Sequence, residues 1–378
     1  MIDRPITILQ VLPKLDTGGA ERVVLEIAEA VQSCGHIALI AAEPGALSNA
    51  ALRTGARVIN LPLASKSPFT IRRNAKRLEK LIGEYRVDIV HAHSRAPAWS
   101  AYWATRRTHT PFVTTYHGVY SEKNAFKHRY NAVMARGDRV IAVSTFVAGL
   151  IHARYGLGGD KIRVIHGGVD TVKFDPANVL GDRISRLARD WRVDMDKPLI
   201  MLPGRLTSWK GQKTLIAALA RLRHADAIAI LAGGDQGRGA YAASLAALAE
   251  NLGVAARLRI VGHNEDMPAA MMLADIVVNA STDPEAFGRT IVEAQAMGRL
   301  VIATDHGGAR ETILPGETGF LVPPGDAAAL AQAIDAALDM SAGERIAWGR
   351  HARAHIRQNH SIAAMQQAVL NVYAELLA

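Results

Sequence analysis

The sequence predicts an α/β protein built from two doubly wound domains with parallel sheets. Three observations carry this. Short apolar runs alternate with longer amphipathic ones along nearly the whole chain, Gly-rich turns follow the apolar runs, and after one polar interruption the entire pattern starts again. Alternating strand and helix signals of this kind imply βα repeats on a parallel sheet. A length of 378 residues gives room for two such domains.

In chain order, "ITILQVL" reads as a strand and "GGAERVVLEIAEAVQSCG" as the helix after it. "IALIAAE" and "RVINLPL" are further strands, and the basic helix "PFTIRRNAKRLEKLIGEYR" leads into the strand "VDIVHAHS". "PFVTTYH", "RVIAVS" and "IRVIHGGVD" complete a first domain over residues 1–175. Residues 176–197 are polar, break the alternation, and are expected to form a linker. The acid pair "DMD" at 194–196 falls in that linker, ahead of its strand, which argues against a metal role. The second domain is expected over 198–360, with strands "PLIMLP", "AIAILAGG", "RLRIVG", "IVVNAS", "LVIATD" and "GFLVPPGD" separated by helices, and further helices close the chain. In such sheets ligands sit at the carboxyl ends of strands, so the loops after strands should hold the chemistry.

Composition narrows the class. The chain is 49% hydrophobic and 21% charged, ordinary for a globular protein, and its single cysteine, Cys34, excludes an intrachain disulfide. The opening residues do not read as a signal peptide, and no run of about 18 apolar residues occurs. A cytoplasmic location is expected, with peripheral attachment to the cytoplasmic face of the inner membrane. Residues 1–180 hold 24 Lys/Arg against 14 Asp/Glu, net +10, whereas residues 181–378 hold 20 against 21, net −1. A solvated basic surface and an anionic partner are equal readings of that excess.

The stretch "STDPEAFGRTIVEAQAMG", residues 281–298, is the most informative. Asp283-Pro284 marks a turn and the helix should begin near Gly288, which leaves Glu285 in the loop. Glu293 then lies one to two turns into the helix among Ile291, Val292, Ala294 and Met297. A carboxylate there needs a partner to offset its desolvation. The open N–H groups at the helix start favour an anion. One ligand with three parts fits: a sugar at Glu285, a phosphate at the helix start and a ribose diol at Glu293. Earlier, "GRLTSWKG" offers Arg205 and Lys210 on one loop at a strand's carboxyl end, a fork and a point charge suited to a diphosphate.

Other glycine turns say less. Gly18 and Gly19 join a strand to a helix and read equally as a phosphate cradle or a tight turn. "GGDQGRG" at 233–239 lacks dinucleotide-fingerprint spacing, and "ATDHGGARET" reads equally well as an ordinary turn. Three histidines, His91, His93 and His117, fall near strand ends, but no neighbouring acid or cysteine completes a metal site. His117 is the better candidate for proton or oxyanion handling.

Together, "GGAER", "DIVHAHS", "YHG", "VIAVS", "VIHGGVD", "PGRLTSWKG" and "PEAFGRTIVEAQAMG" resemble, in order and spacing, the retaining glycosyltransferases of family 4 (glycosyl transferases group 1). The resemblance covers nearly the whole chain. It implies the GT-B architecture, two Rossmann-like domains facing a cleft, with a final helix at 361–378 crossing back to the first. It implies that Arg205 and Lys210 grip the donor diphosphate, that Glu293 binds the ribose and Glu285 the transferred sugar. Phe287 and Gly288 would lie beside that sugar, with Arg289 and Thr290 at the helix start. It further implies His117 next to the sugar and Gly18-Gly19 near the phosphates or acceptor. The chain departs from the family pattern at Tyr116, His166 and His306.

The expected reaction is retaining transfer of a hexose-type sugar from a UDP- or GDP-sugar to a glycan or lipid-linked acceptor, in lipopolysaccharide or other cell-surface polysaccharide synthesis. No cofactor or metal is expected. No carboxylate nucleophile stands out in the first half, so a front-face route fits better than double displacement. An epimerase or phosphorylase of the same architecture is the alternative. A basic nucleic-acid-binding protein explains the charge but neither glutamate, and recognition motifs with interleaved aromatics are absent. An anionic membrane surface is an expected partner, with "IRRNAKRLEKLIGEYR" as the contact.

Overall fold

A computed structural model describes residues 4–122, 124–235, 237 and 239–378. Gln236 and Arg238 of the 233–239 turn lie outside the described residues. The chain forms two parallel-sheet α/β units, the fold class expected from its alternation. One unit runs to Gly167 and takes in Ile362–Ala378, and the other is Gly168–Ser361.

The first unit contains strands β1 (Thr7–Lys14), β2 (Ile37–Glu43), β3 (Arg57–Asn60), β4 (Ile89–Ala92), β5 (Phe112–Tyr116), β6 (Arg139–Ala142) and β7 (Ile162–Val164). Their order is β3-β2-β1-β4-β5-β6-β7, parallel throughout. Every residue of β4 and β5 is buried. Strands covered by helices on both faces are buried along their whole length, here even at the polar His91, Thr114 and Thr115. The helix Ile362–Leu377 belongs to this unit and buries Met365, Val369, Val372 and Tyr373 in its core. Its far end is tied by Glu375, which accepts from Arg139 at 2.7 Å and from Arg163 Nε at 3.1 Å. Those hydrogen bonds hold the Glu375 carboxyl down at about 2.

The helix Pro68–Glu84 sorts its residues as a 3.6-residue period requires. Ile71, Ala75, Leu78 and Ile82 are buried, and Leu81 is half-buried. The face packs on the helix Arg95–Thr108. Arg72, Arg73, Lys76 and Lys80 are exposed. The apolar residues that could have entered a lipid surface are therefore spent on the core. The outward face is charge, with Phe69 87% exposed at the helix start. No helix among the described residues is long and apolar enough to cross a membrane.

The second unit contains β8 (Leu199–Pro203), β9 (Ile228–Ala232), β10 (Leu258–Gly262), β11 (Ile276–Asn279), β12 (Leu300–Thr304) and β13 (Phe320–Val322), ordered β10-β9-β8-β11-β12-β13 and parallel. Residues 176–197 are not a linker. They include the helix Gly181–Asp190, in which Arg183 grips Asp266 through Nε at 2.8 Å and a terminal nitrogen at 2.6 Å. Its Ile184, Leu187 and Ala188 stand at i, i+3 and i+4, an apolar stripe hidden among charges. The boundary also falls earlier than residue 175. Val169 already pairs with Ser361, and its N–H donates to the His360 carbonyl at 2.8 Å.

Candidate functional site

The order of each sheet reverses direction at one place, between β1 and β4 in the first unit and between β8 and β11 in the second. Loops diverge from the carboxyl ends of such neighbouring strands and leave a crevice. In the second unit those two loops carry Arg205, Lys210 and Glu285.

The loop after β8 ends in a single turn, Ser208–Lys210, before the helix Gln212–Leu219. Gly211 sits at φ 73° with Ala280 so close that a Cβ would stand 1.8 Å from its carbonyl oxygen. No residue but glycine fits there, and the contact brings Lys210 up to the loop after β11. The Lys210 ammonium donates to Glu285 Oε1 at 2.7 Å. It also stands 4.5 Å from the centroid of the Trp209 ring. Arg205, five residues earlier, is exposed and makes no ion pair among the described residues.

Glu285 is the best-held side chain of the site. Besides Lys210, its Oε1 accepts from Asn279 Nδ2 at 2.9 Å and from the Ser281 hydroxyl at 2.5 Å. Oε2 receives no hydrogen bond among the described residues. Burial pushes this carboxyl up, but the Lys210 charge and the three hydrogen bonds outweigh it and leave it below the ordinary glutamate value. Glu285 is thus an ionised carboxylate with one oxygen anchored and the other free to accept. Its backbone is fixed too, since the Gly308 N–H donates to the Glu285 carbonyl at 2.9 Å. The turn 305–308, which reads from the sequence equally as a ligand loop or an ordinary turn, packs against and supports the Glu285 loop.

Gly288 caps the helix Arg289–Ala296 in the left-handed region, φ 87°, with no side-chain cap on the first turn. Thr290 accepts from Asn279 at 3.2 Å. Glu293 is 7% exposed on this helix, and Arg289 Nε stands 3.8 Å from its Oε1, one turn away. Phe287 is buried, its ring 5.7 Å from that of His360, so the side chain serves packing and leaves the backbone to the site. The structure therefore brings Lys210, Glu285 and Thr290 into one hydrogen-bonded group through Asn279. Sequence reasoning missed Asn279 and Ser281. A polar residue closing the apolar strand "IVVN" was the available signal.

In the first unit His117 follows β5, and its Nε2 lies 2.9 Å from His93 Nδ1. His93 is buried, and its own Nε2 has no partner among the described residues. His91 is sealed between the Tyr373 and Thr115 hydroxyls, each at 2.7 Å. Burial, reinforced by neighbouring histidine charge, depresses His91 to about 3 and His93 well below its usual value. Both rings are neutral at physiological pH, which leaves His117 as the only accessible ring of the three. No group of three or more His, Cys, Asp or Glu among the described residues could hold a metal. Gly18 caps the helix Gly19–Ser33 in extended backbone, φ −175°, which any residue adopts.

Two parallel sheets, each with a switch point, and a carboxylate anchored beside a cation place the chain in the class of α/β proteins that hold ligands at strand ends. Comparison with known proteins narrows it. Residues 17–173 match the description Glycosyltransferase Family 4, and residues 184–355 match Glycosyl transferases group 1. The chain is 30% identical to D-inositol 3-phosphate glycosyltransferase of Xylanimonas cellulosilytica over 95% of its length and 92% of that protein. It is 32% identical to the protein of the same name from Salinispora tropica over 77% of this chain and 64% of that one, just under two thirds. A glycosyltransferase structure from Rickettsia africae is 40% identical and superposes with a TM-score of 0.92 over 99% of both chains. HepE of Anabaena, solved in complex with UDP-glucose, is 25% identical with a TM-score of 0.85, over 98% of this chain and 100% of that one. The chain belongs to the group 1 glycosyltransferases of family 4, with the α/β fold of GT-B enzymes.

Proposed function

We propose that this glycosyltransferase moves a hexose-type sugar, with retention of configuration, from a UDP- or GDP-sugar to a glycan or lipid-linked acceptor in the synthesis of lipopolysaccharide or another cell-surface polysaccharide. The observation that carries the donor half of this reading is the Lys210–Glu285 pair at the switch point of the second sheet. An ammonium has three donors. One is used on Glu285, and the others remain for a diphosphate, with Arg205 as the second cation. Glu285 Oε2 accepts from a sugar hydroxyl, the uncapped first turn after Gly288 takes phosphate oxygens, and Glu293 accepts from the ribose diol. The UDP-glucose complex of HepE supports a nucleotide-sugar donor.

In the reaction the bond from C1 to the diphosphate oxygen breaks, and the acceptor oxygen bonds C1 on the same face. The acceptor proton passes to the leaving diphosphate. Arg205, Lys210 and the helix start stabilise the charge that develops on that group. Because those cations meet the diphosphate, we assign no metal. His117 is assigned proton or oxyanion handling beside the transferred sugar. The basic face of Pro68–Glu84 is assigned to an anionic membrane surface, which makes the enzyme a peripheral protein of the cytoplasmic side. A thermal-shift screen against UDP, GDP, ADP and their sugars tests the donor reading. A ligand at 100 times its dissociation constant adds about 2.7 kcal/mol. No stabilisation by any nucleoside diphosphate refutes it.

A further inference from the structure

The first unit contains a cavity of about 610 Å3 that no step above uses. All of its lining residues lie between Pro13 and Asn131. Its size falls within the about 300–1,000 Å3 typical of small-molecule sites. The walls are mainly apolar, formed by Ile71, Trp99, Trp103 and Phe126, and Lys66, Arg95 and Lys127 also line it. No carboxylate lines it among the described residues. Glu122, which accepts from the lining Asn131, is already engaged by Arg154 and His128. Lys66 and Lys127 make no ion pair among the described residues, while Arg95 is held over the Tyr120 ring at 4.3 Å and donates to Asn131 at 3.0 Å. Two long helices, Pro68–Glu84 and Arg95–Thr108, begin at this cavity, and the caps Ser67 and Ser94 make no side-chain hydrogen bond to either. Their first N–H groups add partial positive charge to the three cations. Phe126 is 79% exposed, and Phe69, one residue past the lining Pro68, is exposed as well.

Apolar walls select hydrocarbon, and unpaired cations with open helix starts select an anion. A ligand satisfying both is an amphiphile with a phosphate at one end. We infer that this cavity binds a lipid phosphate, its head at Lys66, Arg95 and Lys127 and its first hydrocarbon units against Trp99, Trp103 and Phe126. The inference rests on the acceptor reading above and narrows it from a glycan or lipid-linked acceptor to one whose sugar is carried on a phosphorylated lipid. The exposed Phe69 and Phe126 then mark where the hydrocarbon leaves the protein for the bilayer.

Calorimetry on the full chain tests this with three probes: geranyl phosphate, geraniol and inorganic phosphate. Geranyl phosphate should bind saturably and at least tenfold tighter than either of the others. The double variant Lys66→Ala/Lys127→Ala should lose at least tenfold for geranyl phosphate and nothing for geraniol. Phe126→Ser should weaken geranyl phosphate and leave inorganic phosphate unchanged. All three substituted positions are exposed. UDP binding, measured on the same samples, reports on the other unit and should be unaltered. Geranyl phosphate no tighter than geraniol, or no tighter than inorganic phosphate, overturns the assignment, as does wild-type affinity in both variants. Loss of UDP binding with geranyl phosphate retained sinks the donor reading alone. The reverse sinks the lipid phosphate alone.

Discussion

Arg205 and Lys210 share one loop and one proposed ligand, yet the structure predicts different consequences when each is removed. Arg205 is exposed and unpaired among the described residues, so Arg205→Ala takes away a ligand contact and little else. Lys210 has a side chain 12% exposed and holds a Glu285 side chain that is 14% exposed. Lys210→Ala removes the same kind of ligand contact and also strands a nearly buried carboxylate with only Asn279 and Ser281 to bond it. One charge-assisted hydrogen bond is worth about 1.5–3 kcal/mol. Each variant should therefore weaken nucleoside diphosphate binding roughly ten- to hundredfold. Only Lys210→Ala should also destabilise the protein, by a similar about 1.5–3 kcal/mol, which lowers the melting temperature by several degrees. Adding Glu285→Gln to Lys210→Ala should restore part of that loss, since it removes the stranded charge. Calorimetry with UDP and GDP reads the first effect, and thermal melts without ligand read the second. Unchanged affinity in both single variants refutes the diphosphate assignment. An equal fall in melting temperature for Arg205→Ala refutes the reasoning that separates the two residues.

Glu285→Gln should lower turnover more than nucleotide affinity and Glu293→Gln the reverse, with His117→Ala resembling the former; identical steady-state signatures for the two glutamates would mean that the sugar and ribose roles are wrongly divided. The Glu285 carboxyl lies below its ordinary value in the folded protein, so its contribution to stability is full above the unfolded value of about 4.3 and fades as pH falls through the folded one. The Glu285→Gln variant should accordingly show a flatter stability profile in that acid range by denaturant titration. Glu375, held at about 2, follows the same sign, and its ties to Arg139 and Arg163 should fail between about pH 4 and 2. Glu375→Gln should speed hydrogen exchange in the last turns of Ile362–Leu377 while leaving the second sheet unchanged. Replacing Arg72, Arg73, Lys76 and Lys80 by Gln should abolish salt-sensitive co-sedimentation with acidic liposomes, and recovery in the supernatant with neutral and acidic liposomes alike, at low and high salt, removes the membrane partner.

The fold was legible in the sequence because burial on both sheet faces writes itself as unbroken apolar runs, such as "IALIAAE" and "PLIMLP". The helix Gly181–Asp190 was not, because three apolar residues among charges look like a solvated connection unless their spacing is counted. The local setting of Glu293 followed from its neighbours in the chain, and the structure buries it where the helix period puts it. The partners of Glu285 split by distance along the chain. Lys210 is 75 residues away, and only the pairing of β8 with β11 makes them neighbours. Asn279 and Ser281 are close in sequence but lie across a strand end whose side-chain direction no local pattern reveals. The same limit governed the basic helix. Its charge was visible at once, whereas the loss of its apolar face to the core depended on the helix Arg95–Thr108 packing over Ile71, Leu78 and Ile82. A membrane reading built on amphipathicity alone therefore has to move. Around that helix the surface offers charge along the outer face and the exposed Phe69 and Phe126. Phe126 lines a cavity whose walls suit hydrocarbon and whose rim suits phosphate, and Phe69 follows the lining Pro68.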